Sequence, residues 1–140
     1  MYTADSHGLL WHLQELAAGK PVRRRGLSPR ARRIFQEADR GVETILIPSI
    51  VLVELIYMSE RGRIPLALVD RLLEDLAAGP ENYRVVALDL EIATHFRDVS
   101  GAEVPEMPDR IIAATARATK TRLITRDESL ARAAGVSVVW

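Results

Sequence analysis

The sequence predicts a three-layer α/β fold, in which helices cover both faces of a mainly parallel sheet. Short runs rich in Val and Ile alternate with longer segments whose apolar residues recur at helical spacing, the pattern of βα units around a parallel sheet. The chain has 140 residues, of which 48% are hydrophobic, and a chain of this size can bury a core without disulfides or a structural metal. We therefore expect one domain over residues 1–140 with at least four parallel strands.

Local signals mark each element of the first half. Residues 1–4 are typical of a short strand, and residues 6–20 carry leucines at helical spacing. The helix within residues 27–41 has Ser28 as its N-cap and Pro29 at its first position. Next come a strand at 44–48, a helix at 50–62 with Ser49 as its expected N-cap, and a helix from Pro65 to about Gly79.

The second half continues the alternation of strands and helices. A third strand at residues 84–88 is followed by a helix that Asp89 is expected to cap. Residues 100–108 are rich in Pro and Gly and predict an irregular loop. The last elements are a helix at about 109–119, a strand at 122–125, a short helix at 127–135 and a fifth strand at 136–140.

The composition excludes several kinds of site. The chain has no Cys, which rules out a thiol nucleophile, a Cys-based zinc site and a disulfide scaffold. No apolar run approaches the roughly 20 residues that span a bilayer, and the N-terminus lacks the basic start and apolar stretch of a signal peptide. A reducing, cytoplasmic setting is therefore the simplest expectation.

Positive charge is concentrated in one segment although the formal net charge is zero. No acid lies between Glu15 and Glu37, whereas this stretch contains several basic residues: Lys20, Arg23, Arg24, Arg25, Arg30, Arg32 and Arg33. A planar guanidinium suits bidentate phosphate contacts. The run is either a solvated surface or a phosphate-binding segment, and Arg23, Arg24, Arg25 and Arg30 are the candidates for phosphate contacts.

Four acids fall where the predicted fold gathers its loops. Asp5 follows the first strand, Glu54 lies in the second turn of the helix after the second strand, Asp109 opens the helix before the fourth strand, and Asp127 follows the fourth strand. Sites in open α/β sheets form outside the carboxyl ends of the strands. Each aspartate could instead be a helix N-cap. Glu54 is harder to explain in that way, because it interrupts an apolar run without a basic residue three or four positions away.

Four carboxylates in one cleft would repel each other unless a cation neutralised them. A hard divalent cation such as Mg²⁺ or Mn²⁺ takes oxygen ligands, activates a bound water and holds a phosphate. Acids at the strand ends, together with arginines, therefore suggest metal-dependent phosphodiester hydrolysis.

These motifs resemble those of the PIN-domain nucleases, and especially the VapC-like ribonuclease toxins of toxin–antitoxin pairs. The resemblance covers nearly the whole chain and is carried by four segments: "YTADSHGLLWHL", "IPSIVLVELIY", "PEMPDRIIAATA" and "LITRDESL". It implies a Rossmann-like, five-stranded sheet and a Mg²⁺ or Mn²⁺ site built by Asp5, Glu54, Asp109 and Asp127. It also implies cleavage of single-stranded RNA, a cognate VapB-like antitoxin and a homodimer.

Supporting roles follow from the same resemblance. It implies that the Thr125 hydroxyl supports the site and that Ser6 helps to place the first aspartate. Many members carry an acid-Pro-x-Asp segment, whereas this chain reads Glu106-Met107-Pro108-Asp109, which leaves Glu106 as an uncertain extra acid.

Other readings of the sequence stay open. A PIN nuclease acting in RNA processing without an antitoxin has the same motifs, and a non-catalytic binding module could share the fold. A receiver-type signalling domain also collects acids at strand ends, but it needs a Lys after the last strands, and the lysines here are Lys20 and Lys120. The three histidines are expected in surface or packing roles. Trp11, with Leu10 and Leu13, is expected in the core more often than in a base-stacking platform, although this face could also receive a partner's helix.

Overall fold

The computed structural model describes residues 1–22, 26–133 and 135–140. Within them, one all-parallel five-stranded sheet contains β1 (Tyr2–Ala4), β2 (Ile45–Pro48), β3 (Tyr83–Val86), β4 (Arg122–Ile124) and β5 (Val138–Val139). The helices are α1 (Ser6–Ala18), α2 (Pro29–Asp39), α3 (Ser49–Glu60), α4 (Leu66–Ala77), α5 (Leu90–Phe96), α6 (Met107–Ala118) and α7 (Glu128–Arg132). The predicted α/β class and five-stranded parallel sheet are confirmed.

The strand order is β3-β2-β1-β4-β5, so the direction of winding reverses between β1 and β4. These two strands pair in parallel, with Tyr2 opposite Arg122 and Ala4 opposite Ile124. In a sheet of this kind, the loops that leave the two strands at such a reversal diverge and leave a crevice outside their carboxyl ends. The residues after Ala4 and Ile124 therefore border that crevice.

The central strands are buried on both faces, as expected where helices cover both sides of a parallel sheet. All four residues of β2 are buried, and Ala4, Leu123 and Ile124 are fully inaccessible. Helix α6 packs against β1, β2 and β4. Its small residues Ala113 and Ala114 are also fully buried, so they allow this helix to approach the sheet closely and fix the position of its first turn.

Side-chain caps explain several helix starts that the sequence predicts. The Ser28 hydroxyl accepts a hydrogen bond from the Ala31 N–H at 3.1 Å, and the Asp89 carboxylate accepts one from the Ile92 N–H at 3.0 Å. Both predicted caps are confirmed. Gly19 follows α1 in the left-handed conformation, with φ 64°, and ends the helix there.

Other predicted boundaries are wrong by a few residues. Ser49 is the first residue of α3 and not its cap, and its hydroxyl accepts from the Leu88 N–H at 3.2 Å. Helix α6 begins at Met107, because Pro108 is tolerated in a first turn that needs no N–H donor. Strand β5 has only 2 residues, which are those that pair with Leu123 and Ile124 of β4.

None of the helices in the described ranges has the length and apolar character needed to cross a membrane.

Candidate active site

Asp5 lies at the reversal of strand order, directly after β1, and is 6% exposed. It caps α1: its Oδ1 accepts from the Gly8 N–H at 2.5 Å, while its Oδ2 accepts from the Thr125 hydroxyl at 2.5 Å. Burial raises the pKa of Asp5, and the hydrogen bonds from Thr125 and Gly8 offset part of that effect. Asp5 is therefore both a cap and a carboxylate held rigidly at the crevice.

Two small residues, Thr125 and Gly8, determine the geometry around Asp5. The Thr125 hydroxyl also accepts from the Asp127 N–H at 3.0 Å, so it links the ends of β1 and β4. Gly8 allows the close approach, since a Cβ there would stand 2.8 Å from Oδ1 of Asp5. Sequence reasoning missed Gly8, although its position three residues after an N-cap Asp is the usual place for the capped N–H.

Glu54 is half-buried on α3 and accepts a short hydrogen bond from the Ser6 hydroxyl. The sequence analysis expected Ser6 to help place Asp5. In the structure, the Ser6 side chain, which is 3% exposed, contacts Glu54 instead. Ser6 follows the first acid along the chain and orients a second acid from another helix, so it connects the two.

Asp109 is the third residue of α6 and does not occupy its N-cap position. That position belongs to Glu106, whose side chain makes no capping hydrogen bond. Burial raises the pKa of Asp109 to about 6, and the charges of Asp127, Glu54 and Asp5 act in the same direction. Capping therefore does not explain Asp109, and the four predicted acids are close enough to influence one another.

Asp127 is exposed and caps α7. Its Oδ1 accepts from the Ser129 N–H and hydroxyl, each at 2.6 Å, and from the Leu130 N–H at 3.3 Å. Burial raises the pKa of Asp127, but the hydrogen bonds from Ser129 and Leu130 outweigh it and hold the pKa below its usual range.

The four acids do not yet form a compact ligand shell. Among the residues that the structure describes, no three Asp, Glu or His side chains are grouped so that they could hold one metal ion. The arrangement is thus an open set of carboxylates that interact through space, as repulsion between uncompensated like charges favours.

A cleft of about 410 Å³ adjoins the acids and is lined by Asp5, His7, Trp11, Arg126 and Asp127. His7 and Arg126 are exposed, and Trp11 is half-buried. Sequence reasoning gave His7 a surface or packing role and did not single out Arg126. Their closeness along the sequence to a predicted site acid could have indicated both residues, since each lies within two positions of one.

The apolar set suggested for a partner's helix does not form one face. Leu10 is 6% exposed and belongs to the core. Trp11 lines the acid cleft, whereas Leu13 lines a different pocket, between α1 and α4, that also contains Leu72 and Leu76.

The basic segment is only partly available for binding. Arg23, Arg24 and Arg25 lie outside the described residues, and Arg30 is exposed on the first turn of α2. Arg32 is bound to Glu15 through two hydrogen bonds of 2.8 and 2.9 Å. This pair joins the second half of α1 to α2. The acid cleft adjoins the start of α1, a helix that is about 20 Å long because it has 13 residues.

The PIN-domain family model matches residues 20–136. The chain belongs to the PIN-domain family. PIN domains are generally nucleases, and this membership removes the receiver-type alternative. Glu54, Asp109 and Asp127 lie inside the matched range of the PIN domain, and Asp5 lies before it.

Solved structures support the PIN fold. The chain matches one in the crystal structure of VapBC2 from Rickettsia felis bound to a DNA fragment from their promoter, with a TM-score of 0.71, 16% identity, and 99% and 98% of the two chains covered. It also matches FitAcB from Neisseria gonorrhoeae (TM-score 0.64, 19% identity, 100% and 97% covered) and a toxin–antitoxin complex from Klebsiella pneumoniae (TM-score 0.62, 20% identity, 100% and 97% covered). No curated protein matches the chain.

Proposed function

We propose that this PIN domain, spanning residues 1–140, is a metal-dependent endoribonuclease and the toxin of a toxin–antitoxin pair. Membership of a family of nucleases supports hydrolysis of phosphodiester bonds. Similarity to chains in a VapBC complex and in a toxin–antitoxin complex supports the role as a toxin.

The observation that carries the proposal is the electrostatic coupling of Asp109 to the other three acids. Its pKa is raised to about 6 by burial and by Asp127, Glu54 and Asp5. Purely structural aspartates are usually placed where hydrogen bonds or cations stabilise their charge. An acid that caps nothing and whose pKa is raised by three other acids is better explained by a ligand that supplies positive charge.

The donor chemistry fits a hard divalent cation. All four side chains offer carboxylate oxygens, the ligands that Mg²⁺ and Mn²⁺ prefer. An ionised carboxylate has about four lone-pair sites, so Asp5, with two donors bound, keeps capacity for a cation. We propose Asp5, Glu54, Asp109 and Asp127 as the metal ligands and catalytic acids.

The protein's own groups orient this set of acids. Thr125 and Gly8 hold Asp5, Ser6 holds Glu54, and Ser129 holds Asp127. When bound, the cation would activate a water for attack and neutralise the charge of the scissile phosphate. Because hydrogen bonds fix the carboxylates of Asp5, Glu54 and Asp127 before substrate arrives, these three groups need little reorganisation during the reaction.

The substrate is expected to contact Arg126 in the cleft, and arginines of the basic segment are further candidates. Arg126 lies in the cleft and can pair with a phosphate. Arg30, together with Arg23, Arg24 and Arg25, remains a sequence-based candidate for RNA contacts farther along the strand. A VapB-like antitoxin completes the proposal, on the strength of the similar complexes, together with the homodimer that the family resemblance implies.

Cleavage of RNA by the purified chain tests the enzymatic part. We expect hydrolysis with Mg²⁺ or Mn²⁺, none in EDTA, and loss of activity in Asp109→Asn with the fold retained by circular dichroism. Asp70→Asn, which changes an exposed aspartate of α4, is the matched control and should cleave as the wild type does. Full activity in EDTA, or equal activity of the two variants, would rule the proposal out.

Co-expression tests the toxin role separately. The wild-type chain should arrest growth, Asp109→Asn should not, and the product of a neighbouring small gene should form a complex and relieve the arrest. Activity without such a partner would favour the RNA-processing alternative.

A further inference from the structure

Three aromatic rings form a row beside the acids. His7 and Trp11 lie one turn apart on α1, with ring centroids 5.6 Å apart and an interplanar angle of 45°. Trp140 meets Trp11 edge-on, with centroids 5.4 Å apart and an angle of 63°. These separations are typical of packed aromatic pairs, so Trp11 is held in place from two sides.

Two members of this aromatic row border the same cleft as the acids. His7 and Trp11 line it together with Asp5, Asp127 and Arg126. Trp11 and Trp140 are only half-buried, and His7 is exposed. Trp11 packs against the core with part of its ring and keeps the rest of its surface in a cleft of about 410 Å³, a volume typical of ligand sites.

We propose that the aromatic row is a stacking platform for an unpaired nucleobase adjacent to the scissile phosphate, with Arg126 contacting a neighbouring phosphate. The inference rests on the proposed function and deepens it by naming the side chains that would hold a base of the substrate beside the acids. Every base offers a π-face, so stacking on Trp11 needs no particular sequence. A base inside a duplex has both faces occupied and cannot reach the platform unless it leaves the helix.

The platform also sets the position of the backbone. A base stacked on Trp11 lies in the cleft that Asp5 and Asp127 line, which brings its own phosphate to the acids. Holding the reacting phosphate in this way contributes to the rate by orientation. Trp11 is therefore assigned as a positioning residue.

Binding without cleavage tests the platform directly. The probe is a short oligoadenylate with one 2-aminopurine, in EDTA, whose fluorescence falls when the base stacks. The wild type should bind it and quench it, and Trp11→Ala should weaken binding about tenfold, within the range of one base stacked on an aromatic side chain. Trp11→Phe should recover most of the quenching. Leu16→Ala, which truncates an exposed residue at the far end of the same helix, should bind as the wild type does.

Two further strands separate stacking from a general defect. With an abasic strand of the same length, the wild type and Trp11→Ala should bind equally. When the oligoadenylate is paired with oligouridylate, neither the wild type nor Trp11→Ala should quench the 2-aminopurine fluorescence. If Trp11→Ala binds oligoadenylate as tightly as the wild type, or loses the same factor on the abasic strand, the platform is overturned.

The outcome is distinguishable from failure of the proposed function. A chain that binds and quenches the strand in EDTA but never cleaves it with metal contradicts the nuclease proposal and leaves the platform standing. A chain that cleaves RNA equally well as wild type and as Trp11→Ala contradicts the platform alone.

Discussion

Ionisation of Asp109 lowers the free energy of unfolding of the metal-free protein. Its pKa is about 6 in the folded chain and 3.8 as the ordinary value. Between these values the folded state binds the proton more tightly, so the stability contribution of this group falls as pH rises from about 4 to about 6 and stays low above that. Asp109→Asn removes the charge and should remove this loss.

Thermal melts in EDTA measure the effect. At pH 7.5 we expect Asp109→Asn to melt a few degrees above the wild type, because about 1 kcal/mol corresponds to about 2–4 °C in a chain of this size. At pH 5 the difference in melting temperature between Asp109→Asn and the wild type should be smaller. A gap that is constant with pH, or one that Asp70→Asn reproduces, would contradict the pKa assignment.

The Thr125 hydroxyl is predicted to matter more than its methyl group. Thr125→Val keeps the shape but removes the hydrogen bond to Asp5 and leaves the Asp127 N–H without its acceptor. We expect a loss of about 1–3 kcal/mol in the free energy of unfolding, measured by urea titration. Thr125→Ser keeps the hydroxyl and is the control. Equal losses in the two variants would show that packing, and not the hydroxyl, is responsible.

At this scale the sequence located the acids but not their contacts. Asp5, Glu54, Asp109 and Asp127 follow from the strand ends, since chain order alone places them near one edge of a parallel sheet. The partner of Ser6 did not follow, because it depends on how α3 packs against α1. Periodicity predicts which residues share an element, and it does not predict which atoms of two elements meet.

An ion pair between Arg32 and Glu15 joins α2 to α1. Glu15 is 9% exposed and receives two hydrogen bonds from Arg32, which also donates to the Leu27 carbonyl at 3.0 Å. The Arg32 hydrogen bond holds the pKa of Glu15 below its usual range, so the contribution of this pair to stability is present at neutral pH and is lost as pH falls through that lowered value.

Arg32→Ala should therefore leave a buried, unpaired carboxylate. We expect the free energy of unfolding to fall by about 2–4 kcal/mol at pH 7, which is toward the lower part of the range for fully buried ion pairs. Arg33→Ala removes the next arginine, whose exposed contact with Glu37 is 3.8 Å long, and should cost less than about 1 kcal/mol. Similar losses in both variants, measured by urea titration, would contradict a special role for Arg32.

Element boundaries were predictable where a side chain makes the boundary. Ser28 and Asp89 cap their helices through their own oxygens, which a sequence displays directly. Strand β5 was predicted at 136–140 but contains only Val138–Val139, because the length of a strand is set by its partner and β4 ends at Ile124. Tertiary pairing of this kind is not visible along the chain.

At the scale of the whole molecule, metal binding should appear as added stability. If the acids form one site, only the folded chain presents it, so excess Mg²⁺ should raise the melting temperature by mass action. Asp5→Asn, Glu54→Gln, Asp109→Asn and Asp127→Asn should each gain less from Mg²⁺ than the wild type. Melts with EDTA and with Mg²⁺ compare them, and an equal metal response in all five proteins would mean that these acids do not share an ion.

The pairing of β1 with β4 has a consequence for synthesis of the chain on the ribosome. The hydroxyl that holds Asp5 is 120 residues further along the sequence, and the strand beside β1 on that side begins only at Arg122. Contacts so distant in sequence form late, since the intervening loop must close first. A growing chain that has not reached β4 lacks the crevice altogether. The proposed site is therefore completed only after β4 has been synthesised.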